Sequence, residues 1–293
     1  MSTMVFDLNG VGKALDVATD FIGGNKWNTV PGSVLQRKLV HRLADVKAGL
    51  DKIPEMSGFA ASTADPLNEA LAKAGFDIRL DPWPDDGFNF GTVALLKMGV
   101  RWLVRGETHE KLGDKTPFTV CGDKPAFRLR TRPHGVEFGE VAGSDEPVII
   151  VPTQSEDTVY FFQTDNRPAD AFDMYDLAEK VTSAQRSWKF NYDGVYVPMI
   201  DADREVDLSW MLDMSCLDYV LLQALQQVIF KMNDLGASAE SGTAVALARG
   251  GPPTYYTLDG PFIAVISRPK VRIPIFVGYL GLDVFADPGE LAA

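Results

Sequence analysis

Near residue 92 the apolar periodicity of the chain changes from that of helices to that of strands, and this switch limits the folds it can adopt. Ahead of it, Leu8, Val11, Leu15, Ala18, Phe21 and Ile22 recur at three- and four-residue spacing, and Gly23-Gly24 supplies a helix stop. A second helix is predicted from Ser33, where Ser33-x-x-Gln36 has the form of a capping box and Leu35, Leu39, Leu43, Val46 and Leu50 make one stripe. A short third helix is bracketed by an Asp65 cap, Pro66 and Gly75, and the alternating Phe76–Leu80 segment reads as a strand before the loop at 81–87. Beyond the switch, strands are predicted near 93–104, 117–121, 126–132, 136–141, 147–152, 158–164, 195–200, 218–233, 261–267 and 272–280. Helical spacing returns around Phe172, Leu177 and Val181, and around Leu208–Leu212. No repeat, linker or low-complexity tract separates front from back. The expectation is one α+β domain over 1–293, with a helical part (1–92) on a β-rich part (93–293).

The charge balance narrows the partners. With 28 Lys+Arg against 40 Asp+Glu, the net charge of −12 opposes nucleic acid and anionic membranes. The start of the chain has neither a positive leader nor an apolar run, so the expectation is a cytoplasmic protein without a signal peptide. Cys121 and Cys216 stand alone, signalling neither a disulfide framework nor a metal site.

Familiar catalytic signatures are missing. Gly10-Val11-Gly12-Lys13 is too short for a phosphate loop, and no GxSxG, HExxH or strand-linked GxGxxG occurs, so no cofactor is expected. His41, His109 and His134 sit in unrelated contexts; Asp85-Asp86 reads as turn chemistry, and the charges at 107–115 as a solvated loop. The unusual stretch is Gly236–Gly260, whose first half is almost entirely small residues. A connection of that length between strands is either functional or a flexible hairpin link.

At this stretch the sequence resembles the serpin family. Asn233-Asp234-Leu235-Gly236, followed by small residues through Thr243-Ala244-Val245, is similar to the hinge of the family's reactive loop. Asp259–Ile266, Pro274–Gly278 and Asp287-Pro288 resemble its closing segments. Trp102, Thr116-Pro117-Phe118, Gly135–Phe138, Val148–Pro152 and Val195–Met199 match further landmarks in order, and Val30–Val34 resembles the start of its second helix. The likeness is strongest over 93–288. It implies a serpin-like α+β fold, with a reduced helical N-terminal part packed on mixed or antiparallel sheets and an exposed reactive-loop-like segment at 236–260.

An inhibitory member of that family offers its loop to a protease and inserts it into the central sheet after cleavage. The resemblance implies Gly236, Ala237, Ala239, Thr243, Arg249 and Gly250 as loop positions, with Arg249 the bait for a trypsin-like serine protease and the scissile bond near Gly250. Four departures oppose this mechanism. The segment between the second helix and residue 93 is short. Val30, Ala94 and Gln226 replace a serine, an asparagine and a histidine of the sheet-opening cluster. Leu235 and Ala237 alter the hinge, and Gly250-Gly251-Pro252-Pro253 is stiff. The reading carried forward is a serpin-like protein that has lost suicide inhibition. Shortening the front exposes apolar sheet surface, which becomes a pocket for an apolar small molecule, binding it or acting as a cofactor-independent cyclase or isomerase. Trp83, Phe88 and Phe90 supply aromatic surface, Trp102 and Trp210 are pocket residues and Tyr255 and Tyr256 a lid; core and rim positions are the plain alternative for each. Inhibition through Arg249 is the other function weighed.

Overall fold

The computed structural model describes residues 2–24, 26–85, 89–109, 116–132, 135–236 and 253–291. Its helices are α1 (Leu8–Ile22), α2 (Val34–Leu50), α3 (Ala64–Lys73) and α4 (Ala171–Thr182). Local chemistry sets their ends. Asp7 caps α1 by accepting the Gly10 N–H at 2.8 Å, and Gly23 closes it at φ 67°. Ser33 accepts the Gln36 N–H at the start of α2, while the Gln36 side chain accepts from Val30 N at 2.7 Å and donates to the Trp210 and Leu212 carbonyls. The expected capping box is thus present with its return bond moved to Val30. Helix α3 begins ahead of the predicted Asp65 cap: Thr63 occupies the cap position and Asp65 falls in the first turn, where a carboxylate still favours the helix N-terminus.

The strands, in chain order, are β1 (Met4–Val5), β2 (Met56–Ala61), β3 (Gly91–Leu96), β4 (Thr119–Val120), β5 (Lys124–Arg130), β6 (Glu137–Glu140), β7 (Pro147–Pro152), β8 (Thr158–Gln163) and β9 (Gln185–Arg186). They continue with β10 (Gly194–Pro198), β11 (Ile200–Asp207), β12 (Ser215–Cys216), β13 (Tyr219–Val220), β14 (Leu225–Met232), β15 (Tyr255–Thr257), β16 (Phe262–Ser267) and β17 (Phe276–Leu280). An antiparallel seven-stranded sheet has the order β1-β17-β16-β8-β7-β6-β9, and a four-stranded sheet the order β15-β10-β5-β4. Along β16, Phe262, Ala264 and Ile266 face a core shared with the four-stranded sheet, while Ile263 and Val265 face one shared with α1, α2 and α4. The period of two assigns alternate residues to opposite faces, and both faces are covered, which is why this strand reads as an unbroken apolar run.

The front of the molecule is built differently. Two antiparallel pairs, β2-β3 and β11-β14, stand separately, the latter registered from Ile200↔Met232 to Asp207↔Leu225. Neither β2 nor β11 is visible in the strand pattern. The run Met-Ser-Gly-Phe-Ala-Ala has little β propensity, and Ile-Asp-Ala-Asp-Arg-Glu-Val-Asp hides its alternation among charges. The predicted strand at 93–104 stops at Leu96, that at 218–233 is broken between β13 and β14, and that at 272–280 begins only at Phe276. Residues 76–80 are extended without a ladder. The Asp77 N–H donates to Gln227 Oε1 at 2.7 Å, the Leu80 N–H to Asn68 Oδ1 at 2.8 Å and the Asp81 N–H to Gln223 Oε1 at 2.9 Å. Side-chain amides thus take the place of a neighbouring strand.

Candidate functional site

Strand β3 pairs only with β2 and β14 only with β11, so among the described residues the facing edges of these two strands have no ladder partner. A cavity of about 620 Å³ lies between them. Its helical wall is α1, through Gly10, Val11 and Ala14; its strand walls include Ala94 on β3 and Val228 and Phe230 on β14. The Thr92 hydroxyl donates to the Ala14 carbonyl at 3.0 Å, tying β3 to that wall. Phe76, Ile78 and Leu80 also line the cavity, so the extended segment is a strap from α3 to β14 that turns its alternate apolar side chains inward. The alternation was legible in the sequence; its partner was not.

At one end of the cavity stands Trp102, buried, with its indole N–H donating to the Asn233 carbonyl at 3.0 Å. Gly236 lies against this ring: a Cβ there would come within 2.4 Å of the indole, and φ is 55°. Both the backbone conformation and the close approach require glycine. The preceding residues are fixed as well, since Asp234 accepts from Arg105 at 3.0 Å and from the Gly106 N–H through its carbonyl at 2.8 Å.

The start of α1 forms another part of the wall. Gln226 of β14 grips the Asp7 backbone from both sides, accepting from its N–H at 3.0 Å and donating to its carbonyl at 2.9 Å. Asp7 is among the residues lining the cavity, and burial pushes its carboxyl up to about 6 despite the bonds from Gly10 and Asn9. Gln226, where the serpin resemblance implies a lost histidine, therefore serves a different network; Ala94 lines the cavity, and the Val30 N–H is held by Gln36.

The other singled-out residues are dispersed. Trp210 packs edge-on against Phe172, with ring centroids 5.8 Å apart, and is not among the cavity residues. Tyr255 and Tyr256 lie in β15, which runs parallel to β10, and neither lines the cavity. Tyr255 covers the Arg128 guanidinium at 4.9 Å, and the Tyr256 hydroxyl bonds Glu146, a contact that together with burial pushes the phenol well above its usual range. Trp83 donates to the Ser62 carbonyl and Phe90 stacks on Phe21. Phe88, Asp86, His134, Ala237, Ala239, Thr243, Arg249 and Gly250 lie outside the described residues. Glu107, expected in a solvated loop, instead pairs with the buried Arg128 at 2.6 Å and with Arg130 at 3.1 Å. These arginines hold its carboxyl below the usual range against the opposing effect of burial. Asp7 and Gln227 were not singled out, Gln226 was named only as the replacement of a histidine, and the strap was read as a strand; two adjacent glutamines inside the apolar run of β14 were the available signal.

Among the described residues no group of three or more His, Cys, Asp or Glu is placed to hold a metal, and no helix is long and apolar enough to cross a membrane. No family model and no curated protein matches the sequence. Solved structures do resemble the chain. Human thyroxine-binding globulin complexed with thyroxine matches at a TM-score of 0.57 with 11% identity, over 94% of this chain and 91% of that one. A thermophilic serpin, tengpin, in its native state gives 0.55 with 12% identity over 95% and 88%. Mouse protein-Z dependent protease inhibitor gives 0.54 with 13% identity over 96% and 91%. The fold is that of the serpins, as the resemblance in the sequence implies, with few helices and several antiparallel sheets.

Proposed function

We propose that this serpin-fold chain is a small-molecule binding protein whose ligand occupies the cleft between β3 and β14. The observation that carries the reading is the pair of strand edges, without ladder partners among the described residues, that bounds a mostly apolar cavity of about 620 Å³. That volume lies within the usual range for sites of drug-sized ligands. The likeness to a thyroxine-bound globulin supports it at the level of the fold. Within the same cleft, shape and water exclusion are sufficient to hold a flexible substrate in a reactive conformer, so a templated cyclisation or isomerisation is the finer form of the proposal. Titration with the uncharged fluorophore phenylnaphthylamine tests the binding reading. Saturable one-to-one binding is expected, weakened about tenfold or more by Ala94→Trp, which fills the cleft. Binding unaffected by that variant, with the melting temperature unchanged, rejects the site.

A second reading draws on the same edges. An added strand would find ladder partners on β3 and β14, and the chain leaves β14 directly toward the segment that contains Arg249. Suicide inhibition of a trypsin-like protease through Arg249 then predicts a complex that survives denaturation and is lost in Arg249→Ala. It also predicts a large rise in melting temperature on nicking between Gly236 and Gly260. An unchanged melting temperature after nicking, with no trapped protease, removes this reading.

A further inference from the structure

Asp7 is the one acidic residue among the cavity residues described, and its setting differs from that of the other aspartate that caps a long helix. Asp170, at the start of α4, accepts N–H bonds from Phe172 and Asp173 and also pairs with Lys38 at 2.8 Å, which helps hold its carboxyl below the usual range. Asp7 makes the equivalent cap bond to Gly10 but has no lysine, arginine or histidine among the groups acting on it. Among the described residues, the groups bonded to it and beside it are uncharged. Gln226 is committed to its backbone, and the buried Tyr175 hydroxyl of α4 accepts from Leu8 N and donates to the Phe6 carbonyl, both at 3.1 Å. The cation is missing on the wall of an apolar cavity, where a charge is most costly to leave unpaired.

Capping alone does not require this arrangement. Serine and asparagine cap as well as aspartate does, and Ser33 performs the task for α2. The backbone beside Asp7 also makes room for the acid: a Cβ on Gly10 would lie 2.3 Å from Asp7 Oδ2, so the carboxylate rests over a glycine that itself lines the cavity. The other charged cavity residues described, Lys97 and Lys231, are exposed, and Lys231 is engaged by Asp201 at 3.5 Å. We propose that the ligand of this cleft carries a protonated amine, which pairs with the Asp7 carboxylate while its apolar body lies along β3 and β14. The net charge of −12 favours the approach of such a cation. This inference rests on the small-molecule reading and specifies the chemical class of the ligand.

Three probes of one shape separate the two claims: naphthylmethylamine, naphthylmethanol and naphthoate, titrated by calorimetry into wild-type protein, Asp7→Asn and Ala94→Trp. The amine is expected to bind the wild type about tenfold more tightly than the alcohol at neutral pH. That preference should vanish in Asp7→Asn, which keeps the helix cap, and binding of all probes should weaken in Ala94→Trp. Gly10→Ala, which displaces the carboxylate, should reduce the preference if Asp7→Asn folds poorly. Equal binding of amine and alcohol, tighter binding of naphthoate, or an amine preference that survives in Asp7→Asn overturns the inference and leaves the pocket reading standing. Failure of all three probes to bind overturns both.

Discussion

The seven-stranded sheet and the split front of this molecule are both built of antiparallel strands and have opposite consequences. In the sheet, β16 has ladder partners on both edges and cores on both faces, so backbone polarity and apolar surface are satisfied together. At the front, β3 and β14 have one partner each among the described residues, and what lies between them is a cavity lined by a strap. Side chains also take different jobs. In the sheet they fill space, whereas the glutamines of β14 and of the segment just before it stand in for backbone: Gln226 grips the start of α1, and Gln227 and Gln223 hold the strap. A scaffold stabilised by one region can tolerate an incomplete other, and this leaves room for a site.

Truncating the sheet core should separate the regions most clearly. Phe161 is fully buried and meets Phe262 edge-on at 5.6 Å, so Phe161→Ala is expected to cost about 3–5 kcal/mol in urea unfolding. A cost below about 1 kcal/mol would remove the distinction between a filled back and an open front. Gly236→Ala should come next, at about 1–3 kcal/mol, because it combines a positive φ with a clash against Trp102. Unchanged stability there would mean that the cleft end is not pinned as described. Gln227→Ala should cost about 1 kcal/mol and accelerate amide exchange at Asp77 and Ile78 without affecting the amides of β16. Equal acceleration in both places would make strap and sheet one cooperative unit.

How far the sequence revealed this contrast depended on where the hydrogen bonds go. The central strands were legible because burial on both faces leaves a continuous apolar run, and α1, α2 and α4 because their stripes and caps are local. Strand β11 was obscured by its five charged residues, and β2 by small ones. At Phe76–Leu80 the alternation was read as a strand, which the structure does not form there, because periodicity cannot distinguish a ladder from an amide of Gln227. Trp102 was the one residue marked for the pocket that lines the cleft, while Trp210, Tyr255 and Tyr256 pack elsewhere. Asp7 escaped notice because its cap role is local and its place in the cavity depends on β14, more than two hundred residues away.

The smallest expected effect concerns the pH dependence of the front. Asp7 is raised from an ordinary value of 3.8 to about 6 by burial, so the folded protein holds this proton more tightly than the unfolded chain does. Its contribution to stability is therefore fully present below the unfolded value and is lost as pH rises through about 6. Asn at this position keeps the cap and removes the titration, and Asp7 is only partly buried, so solvent screening keeps the effect modest. Melting temperatures of wild type and Asp7→Asn should coincide below about pH 4, diverge as pH rises to about 6 and stay apart above it, with the variant higher by about 2 °C. The exposed carboxylates common to both proteins cancel in this difference. A variant that is less stable at neutral pH would show that the carboxylate is stabilised where it stands, and the cleft wall would then carry no unsatisfied charge to attract a cation.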